Sequence, residues 1–442
     1  MRAALRALAV LLALAPLAAC GETAAPDPFA TPPARALAPA EVERVYAAIE
    51  NGEPALPKEL DEILARGDHR FVAVLIESLR ASQVGLLESR AYNQQVVALE
   101  RLSGQRFGAD WIAWVSWYPT TSLAPPPGFA AFMGRLLAKA DPALGGFFAA
   151  RGAAGGEEIV WSGAPPSPVP QAAVEHVGAD AAQLDGAEPI VGVALGGESR
   201  AYPLRWLDWH EVANDALGGR AIAVVWCGFC ASARAFDAGA GGAAPLRFAA
   251  SGLVEQSVRL LYDGATHTLW NELTGAASLG AEAEGLRRLE PLPAVLTTWR
   301  AWRERNPEST VLARSAADAA VERGAPYARY HASAETIFPV AITRADLGAK
   351  ELVYGLENGF RRRAWRAAAL LAAGVTNDAV GDQPVVLVAT RGRIELEASD
   401  GQRTVTFSPG AEVRAYARAT DTFRAGAPSA TCRRARAGAP CG

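Results

Sequence analysis

Cys227 and Cys230 stand three apart in the segment Trp226-Cys227-Gly228-Phe229-Cys230, downstream of the pair His210-Glu211. A C-x-x-C pair supports three chemistries. Its thiols can exchange with another disulfide once a lowered pKa makes one of them a thiolate. As two thiolates they can hold a metal ion on a knuckle between strands, with an imidazole and a carboxylate completing the set. Bonded to each other and left alone, they are a structural crosslink. Spacing leaves all three open. On the metal reading the ligands are Cys227, Cys230 and His210, and Glu211 orients a ligand or shuttles a proton. Two thiolates and one imidazole suit a soft or borderline ion such as copper or zinc, with one position left for a small ligand.

The elements around these residues narrow the choice of scaffold. The run WCGFC looks like the WCGPC of thioredoxins, in which a strand delivers the first Cys to a long helix. Here Asp237 and a Gly-rich stretch follow Ala231–Phe236 at once, and the next clear element is a strand at Leu246–Ala250. A long helix has no room. His210-Glu211 superficially matches the start of H-E-x-x-H, but position 214 is Asn, which excludes a zinc protease of that type. The short helix carrying His210 is expected to end at Asn214-Asp215. Gly218-Gly219 then turns the chain into a strand at Ala221–Val225 that runs into the cysteines. No Walker A, G-x-S-x-G or dinucleotide G-x-G-x-x-G follows a strand anywhere in the chain.

An internal repeat frames the site. Residues 188–225 align without gaps to 351–388, at an offset of 163 and with 12 identities in 38 positions. Shared residues include Gly192/Gly355, Arg200/Arg363, Asn214/Asn377, Asp215/Asp378 and Gly218/Gly381. What both copies keep reads as scaffold, with Gly and Asn-Asp for turns. What only the first keeps is where chemistry would sit. Trp209-His210-Glu211 becomes Ala372-Ala373-Gly374, and the second copy has Ala389-Thr390 in place of Trp226-Cys227.

With these motifs in place, GESRAYPLRWLDWHEVANDALGGRAIAVVWCGFC, then FAASGLVEQSVRLLYDGATHTLWNELTGAASLG, then LPAVLTTWRAWRERNPESTVL, resembles the bacterial and archaeal family catalogued as domain of unknown function 3179. The resemblance covers roughly residues 105–420 and implies no established activity. By place in that block, Glu255, Ser257 and Tyr262 are candidates for the face that bears the C-x-x-C. His267 lies in a hairpin whose turn is Asp263-Gly264, and reads as a surface residue. His69 reads as solvent-facing, and His176 and His331 have no partner in sequence.

The ends of the chain and its composition complete the reading. Arg2 and Arg6 precede an apolar run, Ala7–Leu17, that closes in Leu17-Ala18-Ala19-Cys20. Residues 1–20 read as a lipoprotein signal peptide with a lipobox, and Cys20 as the lipidated residue that ties the chain to a membrane. Residues 21–40 read as a Pro/Ala-rich tether, 41–150 as a helical, HEAT-like domain, 171–315 as the first repeat, 326–425 as the degenerate second, and 426–442 as an irregular, truncated tail. Trp111, Trp114 and Trp117, at helical spacing, read as core. The fold class is therefore α+β: a helical N-terminal domain followed by a β-rich body of two degenerate repeats. The expected location is the cell envelope, on its periplasmic or extracellular face, where paired cysteines can be oxidised. Net charge is −4 and no basic stripe interleaved with aromatics occurs, which argues against a nucleic-acid partner. The function classes that remain are an envelope metal or redox protein and a non-catalytic envelope scaffold with a structural disulfide.

Overall fold

A computed structural model describes residues 29–417, other than 32, 53, 89–90, 150–155, 171–172, 240–243, 316–325, 328–329, 332, 339, 341–343, 345 and 400–403. Of residues 157, 391–399 and 404–411 only the backbone is described. The signal peptide, Cys20, most of the tether and the tail with Cys432 and Cys441 lie outside these residues.

The chain opens with helices α1 (Pro39–Asn51), α2 (Leu56–Arg66), α3 (Phe71–Gln83), α4 (Tyr92–Ser103), α5 (Trp111–Trp117), α6 (Phe129–Ala138) and α7 (Pro142–Phe147). Local chemistry sets their ends. In α1, Pro39 occupies the first turn, Glu41 accepts a 2.7 Å bond from the Ala38 N–H, and Gly52 closes the helix at φ 59°. Helix α3 begins at Phe71. Asp68 does not cap it with its side chain: the carboxylate accepts from the Leu37 N–H at 2.8 Å and from Arg70, tying the entry segment down instead. His69 is half-buried, with its ring edge against Phe29 at 5.5 Å. Trp111 and Trp114 are buried between helices, and Trp117 packs edge-on against Trp114 at 6.0 Å, so the three serve as core.

The β-rich body follows: β1 (Ile159–Trp161), β2 (His176–Gly178), β3 (Pro189–Leu195), β4 (Glu198–Pro203), α8 (Leu204–His210), β5 (Val212–Leu217), β6 (Arg220–Cys227), β7 (Ser232–Asp237), β8 (Phe248–Glu255), β9 (Val258–Asp263), β10 (Leu269–Asn271), β11 (Ala277–Leu279), β12 (Pro291–Leu292), β13 (Ala294–Thr298), α9 (Trp299–Arg305) and β14 (Thr310–Leu312). Three sheets result, ordered β1-β8-β9-β10-β11, β12-β7-β6-β5 and β13-β3-β4-β14-β2.

Side-chain alternation along the strands stacks these sheets as layers. Leu253, Leu260, Leu269 and Leu279 face the helices and share one core with them, so the helices and the first sheet form a single packed unit. On the other face, Phe248, Leu261 and Trp270 meet Val212, Ala223, Val225 and Phe236 of the second sheet. Ile222, Val224 and Trp226 point the opposite way, onto Val191, Val193 and Tyr202 of the third sheet. Ile190 and Ala201 then cover Trp299 and Trp302 of α9. Gly192 is required there, since a Cβ would sit 2.4 Å from the Trp302 ring. The order is helices, three sheets, helix.

The second repeat reproduces the first element by element: β15 (Val353–Asn358), β16 (Arg361–Arg366), α10 (Ala367–Ala373), β17 (Val375–Val380) and β18 (Gln383–Ser399), paired in turn with β19 (Thr404–Ala417). One element differs from the sequence expectation in both copies. The short helix ends at His210, and Asn214-Asp215 lie inside β5 rather than in a turn. Tertiary partners hold them extended. Asp215 accepts from Arg200 at 2.6 Å and from Tyr202 at 2.7 Å, and Asn214 bonds both backbone groups of Phe248 at 2.8 Å.

Candidate functional site

Strand β6 ends in Cys227, and the chain turns back through Gly228-Phe229-Cys230-Ala231 into β7. Ala231 takes φ 47°, which tightens the turn. Cys227 and Cys230 are joined in a disulfide. Their exposure differs: Cys227 is 1% exposed, whereas Cys230 is half-buried. The Cys230 N–H points at Cys227 Sγ from 3.3 Å. A backbone donor so placed favours negative charge on that sulfur. As β7 continues directly from the turn, no helix follows the second cysteine, as the short 231–236 segment implies.

Strand alternation fixes what shares the sulfur's layer. Val225 faces the first sheet, so Cys227, two residues on, faces the same way. In the first sheet Leu261 faces back, and Arg259, two residues before it, does too. Glu272 lies across from Arg259, its N–H donating to the Arg259 carbonyl at 3.2 Å. Cys227, Arg259 and Glu272 therefore occupy one end of the layer between two sheets. The Arg259 guanidinium lies 5.5 Å from the ring centres of Phe229, inside the C-x-x-C, and of Tyr327.

Glu211 joins this group through an unusual backbone. It has φ 65° and ψ −41°, outside the regions that non-glycine residues favour. Its carbonyl accepts from the Trp226 N–H at 3.0 Å, which sets it beside the strand end that carries Cys227. The side chain reaches Arg259 in a buried ion pair. In the second copy the matching residue is Gly374, at φ 70° and ψ −49°, with the matching bonds from Gly374 to Leu370 and from Ala389 to Gly374. The fold requires a left-handed residue here. The second copy fills it with glycine, the first with a charged residue that carries a strained backbone.

Electrostatics set the group apart from ordinary buried charge. Burial pushes the Glu272 carboxyl up to about 8, opposed by the Arg259 charge. Burial raises Glu211 as well, and its direct contact with the Arg259 guanidinium makes it the charged member of the pair. Burial lowers Arg259 to about 10, where it remains cationic at neutral pH. Two buried acids share one cation, so the pair keeps one proton. Asp208 is raised to about 6 by burial, and its carboxylate accepts the Trp226 indole N–H at 2.7 Å. Glu272 is 1% exposed, and neither carboxyl oxygen has a hydrogen-bond partner among the described residues. Asp263, equally buried, accepts from Ala265, Thr266 and Trp270.

The remaining sequence candidates sort by contact. His210 ends α8 and stacks on Trp206 at 4.2 Å. Among the described residues no group of three or more His, Cys, Asp and Glu could hold a metal ion. Glu255 accepts from Asn271 and Ser278, and Ser257 donates to the Phe338 carbonyl. Tyr262 faces the helices, against Phe147, and not the C-x-x-C layer. His267 sits in the β9–β10 hairpin at φ 54°. The sequence reading missed Arg259, Glu272 and Asp208. Arg259 and Glu272 lie beyond the repeat, so comparing copies cannot flag them. Tyr327, Tyr330 and Phe338 cover the turn: Tyr330 donates to the Phe229 carbonyl at 3.1 Å, the Phe338 ring meets Phe229 edge-on at 5.1 Å, and a Cβ on Gly228 would meet the Tyr327 ring at 2.5 Å.

No curated protein and no solved structure matches the chain. The sequence signature of one family, described as a protein of unknown function (DUF3179), matches residues 167–426, which takes in all three sheets' strands from β2 onward, the C-x-x-C, Glu211, Arg259 and Glu272. The chain belongs to the DUF3179 family.

Proposed function

We propose that the chain is an envelope lipoprotein, anchored through Cys20, that performs thiol–disulfide exchange with a partner protein at Cys227 and Cys230. One observation carries the reading: a half-buried Cys230 is bonded to a fully buried Cys227 that receives a backbone N–H, beside buried ionisable groups held by a strained residue. A crosslink used only for stability needs neither the charges nor the strain. The exchange begins when a partner thiolate attacks the accessible Cys230 Sγ. The Cys227–Cys230 bond breaks, a mixed disulfide forms, and the electron pair leaves on Cys227 Sγ. The partner's second thiol then attacks its own sulfur in the mixed disulfide. Cys230 leaves with that thiol's proton, and the partner ends oxidised.

The test is a redox titration of protein extracted from membranes with detergent, read by alkylation and mass spectrometry. Exchange predicts a midpoint above about −300 mV, the region below which structural disulfides lie. A pair that stays oxidised below it favours the scaffold reading. Metal analysis of the reduced protein reads the other arm: stoichiometric copper or zinc, lost in Cys227→Ala, would make metal binding the function. Release by an alkaline wash without detergent would remove the anchor from the proposal.

A further inference from the structure

Resting on the exchange reading, we infer that Glu272 and Arg259 complete the site, with Glu272 as the group that supplies and recovers the proton of Cys227. When the disulfide opens, a thiolate appears at a sulfur that is 1% exposed. Bulk water does not reach it, and a lone buried anion is strongly disfavoured. The layer that Cys227 faces holds one acid whose proton nothing else uses. Both Glu272 oxygens are buried without a hydrogen-bond partner among the described residues, while Glu211 takes the cationic Arg259. A native protein satisfies nearly all its buried carboxylates, as this one satisfies Asp263. An unsatisfied one between two sheets has a use or would be replaced by an apolar side chain.

The proton ledger closes. On reduction, the S–S bond breaks, Cys227 Sγ takes the Glu272 proton, and the resulting carboxylate is held by Arg259. In the oxidising direction Cys227 returns its proton to Glu272 as its sulfur re-forms the bond to Cys230. Among the described residues, the charged and titratable groups facing this layer are Asp208 from α8, Glu211 before β5, Arg259 from β9, Glu272 after β10, and Tyr327. Of these acids Asp208 is engaged by the Trp226 N–H and Glu211 by Arg259. Tyr327 lacks a carboxyl. Glu272 is left as the donor.

The experiment uses the full chain in detergent with dithiothreitol as the partner dithiol. Glu272→Gln, matched in size, should slow reduction of the disulfide at neutral pH by on the order of 10²-fold, the lower range for positioned acids. The rate should also lose its dependence on a group titrating near 8. Unchanged rate and unchanged pH profile in a folded Glu272→Gln would overturn the inference. A second readout needs no variant: the infrared difference spectrum, reduced minus oxidised, should show a change in a protonated-carboxyl band. A silent carboxyl region in wild-type protein that reduces normally would also overturn it, while leaving exchange intact. A disulfide that dithiothreitol cannot open would instead remove exchange itself, and this inference with it.

Discussion

Glu211 sits where two local demands conflict. The backbone wants a glycine, as Gly374 of the second copy shows, and Arg259 wants a carboxylate. The magnitudes decide which prevails. Relieving a left-handed non-glycine residue is worth roughly 1–2 kcal/mol. Breaking a buried ion pair from one side typically destabilises by about 3–5 kcal/mol. Glu211→Gly should therefore lower stability by about 1–4 kcal/mol in urea unfolding. Adding Arg259→Met should restore most of the loss, since the stranded charge goes with it. A Glu211→Gly protein as stable as the wild type would mean that strain, not pairing, dominates. The sequence does hold the clue: aligned copies place Glu211 opposite a glycine in a position that follows a short helix. Read as backbone geometry, that contrast marks position 211 as left-handed.

At the scale of elements, Asn214 shows why pattern alone misplaces a boundary. Asn-Asp before Gly-Gly has the composition of a turn, yet both residues are strand. The Asn214 amide behaves as a piece of backbone, donating to the Phe248 carbonyl and accepting from its N–H, each at 2.8 Å. It thereby joins β5 of the second sheet to β8 of the first. Asn214→Ala leaves two buried backbone groups unpaired and should destabilise by about 2–6 kcal/mol, at about 1–3 each. Thermal and denaturant melts measure this directly. A loss under 1 kcal/mol would mean that water replaces the amide, and that the sheets are held by the apolar layer alone. The β9–β10 hairpin and the absence of a helix after Cys230 are legible locally, because turn chemistry and alternation act over a few residues, although the connection is the five-residue loop 264–268 and not a two-residue Asp263-Gly264 turn.

For the whole molecule, buried ionisable groups make stability fall with rising pH. Glu272 and Glu77 are both raised to about 8 by burial, against an ordinary 4.5. Between those values the folded chain holds a proton on each that the unfolded chain has released, so stability drops as pH rises through the window. His331, lowered to about 4 by burial and the Lys350 charge, acts oppositely between 4 and 6.5. Above 6.5 it no longer offsets the acids. Melting temperature should therefore decline from pH 6.5 to 8, at about 1.4 kcal/mol per pH unit for each acid. Glu77→Gln with Glu272→Gln should flatten the profile. A wild-type curve flat or rising over that interval would show that water reaches both carboxyls in the folded protein.

The amino-acid sequence by itself determines the element order, the doubled motif, and that only the first copy carries Cys227, Cys230 and His210-Glu211. Each follows from local rules: period-two alternation, turn residues and the identity of aligned positions. Layer packing decides the rest. Alternation says that Cys227, Arg259 and Glu272 each point inward from their own strands, but not which sheets face each other. Only the stacking of Val225 on Leu261 and Trp270 brings those three strand ends together, and only that burial turns an ordinary glutamate into one that keeps its proton at neutral pH.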